Sequence, residues 1–104
     1  MKTSVIKLNN GGRTYYSLNN MATAEDYKLV VNILKELHGA SFVQKLGAVY
    51  WYAEKYEYLG RKFVLGLDDD LECYFEATDK NNTQEDETWL EQLVEQIVDE
   101  INNR

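Results

Sequence analysis

Residues 47–78 read GAVYWYAEKYEYLGRKFVLGLDDDLECYFEAT, and their alternation of apolar with polar residues constrains the fold more than any other stretch. A period of two is the mark of a strand with one covered face and one solvated face. The alternation breaks at Gly60-Arg61 and again at Asp68-Asp69-Asp70, where glycine and aspartate supply turn chemistry. The stretch therefore predicts a three-strand antiparallel meander over residues 48–58, 61–67 and 71–77. In the first strand Val49, Trp51 and Ala53 point one way, and Tyr50, Tyr52, Glu54, Tyr56 and Tyr58 the other. In the second, Phe63, Leu65 and Leu67 point inward. In the third, Leu71, Cys73, Phe75 and Ala77 point inward, with Glu72, Tyr74 and Glu76 outward. A helix through 41–58 competes with the first strand, but Gly47 and the density of aromatics disfavour it.

The flanking segments supply what such a sheet needs to bury its apolar face. Two β-prone runs, TSVIKL and RTYYSL, flank Asn9-Asn10-Gly11-Gly12 and predict a hairpin, because Asn-Gly tolerates positive φ. Thr23 is an N-cap with Glu25 and Asp26 in the first turn, and Gly39 ends a helix over 24–38. Its apolar stripe is Tyr27, Val30, Val31, Leu34 and Leu37. Residues 40–46 fit a helical turn or a short strand equally well. A polar loop, TDKNNT, leads into a last helix from about Gln84 to Asn102 with Thr83 as cap. Trp89, Leu90, Leu93, Val94, Ile97, Val98 and Ile101 form its stripe. The expected fold is a single α+β domain over 1–104, a two-layer sandwich. An antiparallel sheet of four to five strands carries both helices on one face, in the order β-β-α-β-β-β-α.

Charge divides the chain. Residues 1–67 hold nine Lys/Arg against five Asp/Glu; residues 68–104 hold two against thirteen, and the whole carries −7. The acidic third repels phosphate backbones and favours a basic protein partner, so nucleic acid is not expected. The longest apolar runs fall far short of the ~20 residues a membrane helix needs. The N-terminus lacks the apolar core and cleavage site of a signal peptide, so the expectation is a cytosolic protein without membrane association. Cys73 is the only cysteine, which excludes an intrachain disulfide and a cysteine-built zinc site.

No motif in the chain assigns a catalytic residue, a cofactor or a metal. Asp68-Asp69-Asp70 lacks the closing glutamate and glycine of an EF-hand loop and reads as a solvated turn. His38, the only histidine, would have to serve any arrangement with Ser41 or Cys73 as nucleophile. Its place in the last turn of a helix has a sufficient structural explanation. The glycines match neither phosphate-binding pattern. What remains is a surface: Tyr50, Tyr52, Tyr56, Tyr58 and Tyr74, with Glu72, Glu76, Glu91, Glu95 and Asp99. Tyrosine gives large contact area at low entropy cost, and acids select a basic partner. The expectation is a small acidic interaction protein and not an enzyme. Compact acidic inhibitors and immunity-type proteins of bacteria share this size and charge, a likeness of bulk properties without a shared motif. The alternatives are a homodimer built on the same sheet face or on the edge of strand 48–58, and a small-molecule binder or enzyme with a pocket between helices and sheet.

Overall fold

A computed structural model describes residues 2–47, 52–77 and 84–104. The strands are β1 (Val5–Asn10), β2 (Arg13–Leu18), β3 (Ser41–Lys45), β4 (Tyr52–Tyr58), β5 (Arg61–Asp68) and β6 (Glu72–Ala77); the helices are α1 (Ala24–Leu37) and α2 (Gln84–Asn102). All strands join one antiparallel sheet in the order β1-β2-β6-β5-β4-β3. The N-terminal hairpin thus docks on the last strand of the meander, not the first. Val49, Tyr50, Trp51, the TDKNNT loop and the Thr23-like cap expected at Thr83 lie outside the described residues.

Register fixes which residues share a face, because cross-strand partners stand side by side. Tyr56 is opposite Phe63, Leu65 opposite Phe75, Phe75 opposite Tyr16, and Cys73 opposite both Leu67 and Leu18. Of these, all but half-buried Leu67 are essentially inaccessible. They form one core with Tyr27, Val30, Ile33 and Leu34 of α1 and with Leu90, Leu93, Val94, Ile97, Val98 and Ile101 of α2. Thr3 ties the two ends of the chain together: its N–H donates to Asn102 Oδ1 at 2.7 Å, and Asn102 Nδ2 donates back to its carbonyl at 3.0 Å. The start of α1 carries a complete capping box. Asp26 N donates to Thr23 Oγ1 and Thr23 N donates to Asp26 Oδ2, each at 3.1 Å.

Two expectations are corrected. The sheet has six strands, not four to five, and the element order gains a strand, because residues 41–45 pair with β4. Every residue of β3 is exposed, so it lacks the in-out alternation by which a strand is recognised. A β-bulge at Val43 further shifts its register. β4 is consequently paired on both sides, and β3, not strand 48–58, forms the sheet edge at this end, with β1 at the other.

The second correction concerns the tyrosines. Tyr52, Tyr56 and Tyr58 face the helices, whereas Tyr74 lies on the opposite side. Tyr52 stacks on Tyr27 of α1, Tyr56 on Phe63, and Tyr58 packs near Trp89 of α2. Ala53, expected to point inward, instead stands opposite Gly66 on the outer side, where Gly66 is opposite Tyr74. The Tyr74 ring lies over Gly66 so closely that a Cβ there would overlap it. Glycine at this strand position is what admits the ring. Exposed Ile6 and Leu8 of β1 belong to the same outer side, opposite Ser17 and Tyr15. In α1 the buried stripe includes Ile33 in addition to the expected Tyr27, Val30 and Leu34, while Leu37, expected in the stripe, is 52 % exposed.

Candidate functional site

The sequence-predicted surface residues separate into distinct places. Tyr56 is wholly buried and leaves the candidate surface; Tyr58 is half-buried; Tyr50 lies outside the described residues. Tyr74 and Glu76 belong to the outer sheet face, where Tyr74 meets Tyr15 edge-on and Glu76 lies 3.6 Å from the Arg13 guanidinium. Burial, followed by the nearby Asp68 and Glu76 carboxylates, raises the Tyr74 phenol, which therefore stays neutral. Glu72 has a local task. At φ 57° it shapes the β5–β6 turn, and its Oε2 accepts from Asn20 N at 2.8 Å.

The aspartate turn is likewise occupied with its own backbone. Asp68 Oδ1 accepts from Asp70 N at 2.9 Å and from Leu71 N at 2.6 Å, the Asx arrangement that lets aspartate end a strand. His38 follows α1 with its ring edge-on to Tyr58 at 6.1 Å. Cys73 is completely inaccessible in the core, and burial first, then Asp26 and Glu72, pushes its thiol up to about 12. Neither supplies an exposed nucleophile–base pair. Among the described residues no cluster of three or more His, Cys, Asp or Glu side chains is spaced to hold a metal ion.

Glu91, Glu95 and Asp99 do come together. They recur every four residues along α2, so they share one helix face at a rise of ~6 Å per step. Glu95 and Asp99 are exposed and Glu91 half-exposed, and Glu100 lies exposed beside the end of the row. The whole helix holds seven acids and no base. Among the described residues none of Glu91, Glu95 and Asp99 is ion-paired. This arrangement works against the helix that carries it. Like charges at i,i+4 repel, and acids in the last turn meet the negative end of the helix dipole.

A second feature was not legible as a site. Between α1 and the β3–β4 pair lies a half-open cleft of about 250 Å³, lined among others by Tyr27, Lys28, Val31, Lys45, Tyr52 and Glu54. At its inner side Tyr27 Oη donates to Glu54 Oε1 at 2.6 Å, and Tyr56 Oη donates to the same oxygen at 3.2 Å. Burial, and after it the Glu54 carboxylate, raises both phenols above their ordinary range, which holds both as donors. Tyr27 is the first member of the α1 stripe and Lys45 stands opposite Glu54, but only the pairing of β3 with β4 brings them to one cleft.

No helix among the described residues is long and apolar enough to cross a membrane. Comparison of the chain with protein-family models, curated proteins and solved structures finds no match.

Proposed function

We propose that the chain is a protein-interaction domain that engages a basic protein partner through the exposed acidic face of α2. The observation that carries this reading is the Glu91–Glu95–Asp99 row: three accessible carboxylates on one line, without ion-pair partners among the described residues, at a local cost to the helix. A need for solubility alone would be met by charges of mixed sign. A single-sign row is suited to steering a complementary surface and holding it in register. An inhibitor or immunity-type role fits this reading, with both helices covering one side of the sheet and the acidic face of α2 turned outward.

The test is capture of partners from a lysate by the wild-type chain and by the Glu91→Lys, Glu95→Lys, Asp99→Lys triple variant. The wild type is expected to retain a basic protein at low salt and release it at high salt, and the variant to lose it. A partner held equally by both, or no salt-sensitive partner at all, overturns the proposal. Self-association is a second reading, favoured by the wholly exposed edge strand β3 with Phe42 and Val43. Sedimentation showing a monomer at high protein concentration disposes of it.

A further inference from the structure

We propose that the cleft between α1 and the β3–β4 pair binds a small planar aromatic carboxylate, its ring against Tyr52 and Val31 over the buried Tyr27 and its carboxylate between Lys28 and Lys45. The inference rests on different residues from the acidic row and stands or falls apart from it.

Size sets the first bound. A cavity of roughly 150 Å³ accepts benzene, so about 250 Å³ accommodates one substituted ring or a fused bicycle. It is small beside the roughly 300–1,000 Å³ of ordinary ligand pockets, so the part of a ligand held inside it is no larger than a ring system of this size. Shape sets the second. Tyr27 and Tyr52 lie nearly parallel, with centroids 4.9 Å apart and planes 27° from one another. Tyr27 is only 2 % exposed and backs Tyr52, which remains 40 % exposed and presents the open ring face, with half-buried Val31 beside it. These flat and apolar surfaces suit a flat and apolar body, because offset stacking adds to the area buried.

Charge sets the third bound. The chain as a whole repels anions at −7, yet among the described residues this cleft carries two lysines against one carboxylate. Among the described residues neither Lys28 nor Lys45 has an ion pair, although Lys45 and Glu54 are cross-strand neighbours. Glu54 is already engaged, since its Oε1 receives both tyrosine hydroxyls. Its remaining negative charge disfavours an anion at the inner end and so orients a ligand's carboxylate outward, toward the ammonium groups.

The test is titration of the full chain with indole-3-acetate, 3-methylindole and tryptamine, followed by amide chemical shifts. For about a dozen heavy atoms in a half-open cleft, dissociation constants between high micromolar and millimolar are expected. The carboxylate is expected to bind tightest, with saturable shifts centred on Val31, Lys45 and Tyr52. Lys28→Ala with Lys45→Ala, both at surface positions, is expected to weaken it about tenfold, the scale of two exposed ion pairs. Val31→Trp, which fills the cleft, is expected to abolish it. Absence of saturable shifts up to about 5 mM, equal response to the three probes, or unchanged affinity in the lysine variant overturns the proposal.

Discussion

At the residue scale, the consequential groups are those kept neutral by burial. Cys73 is surrounded by core side chains, and its thiol is raised from 9.0 to about 12. The sign follows from linkage. Below pH 9 the thiol is protonated in both folded and unfolded chains and costs nothing. Between about 9 and 12 the unfolded chain loses the proton and the folded one keeps it, so deprotonation favours unfolding. Tyr27, Tyr56 and Tyr74 act in the same direction, starting from the ordinary phenol value of 10.0. Urea unfolding midpoints are therefore expected to hold level up to about pH 9 and then fall, more steeply above 10. Each group adds at most about 1.4 kcal/mol per pH unit within its window. Cys73→Ala is expected to delay the onset toward the tyrosine range. A wild-type midpoint that is flat from pH 9 to 11 contradicts the buried, neutral assignment.

At the scale of elements, legibility tracked the strength of local chemistry. The capping box at Thr23, the N-terminal hairpin and the α2 stripe are all local devices, and each could be read from neighbouring residues, although the turn falls on Gly11-Gly12, both at positive φ with Asn10 paired to Arg13, and not on Asn-Gly. β3 could not, since an edge strand exposed on both sides leaves no periodic trace. The tyrosines of β4 were misassigned for a related reason. Alternation says that Tyr52, Tyr56 and Tyr58 share a side but not which side is covered, and Tyr56 resembles an outward residue until Glu54 is seen accepting its hydroxyl. The cleft was illegible because it depends on β3 pairing with β4 beside α1. The acidic row was legible, and its energetic meaning belongs to the helix. Glu95 has a like charge four residues away on each side. Glu95→Lys converts both repulsions into attractions, each worth roughly 0.2–0.5 kcal/mol. The variant is expected to unfold at higher temperature than the wild type while holding a basic partner less tightly. A lower melting temperature would show that the row stabilises the fold, which removes the reason to assign it to a partner.

For the whole molecule, the separation of charge makes salt an informative variable, because stability and binding should respond to it in opposite directions. With −7 overall and seven acids on one helix, the folded chain concentrates repulsion that the unfolded chain spreads out. At roughly 0.01 M salt the screening length is ~30 Å, comparable with the longest dimension of the molecule, 34 Å, so the acids of α2 repel one another along the entire helix. At about 0.15 M it is ~8 Å, and only adjacent members of the row still interact. Thermal stability is therefore expected to rise with sodium chloride across this range. Attraction between the acidic face and a basic partner is screened by the same ions, so affinity is expected to fall. Reversing Glu91, Glu95 and Asp99 to lysine adds two charges at each position and brings the chain from −7 to −1. In that variant the partner is expected to be lost and the salt response of stability to flatten, since one set of charges underlies both. Melting temperatures and partner affinities measured over one salt series check the coupling. If the triple variant loses the partner but keeps the salt response of stability, the repulsion resides in the acids outside the row, and the row's cost to the fold is not the cause.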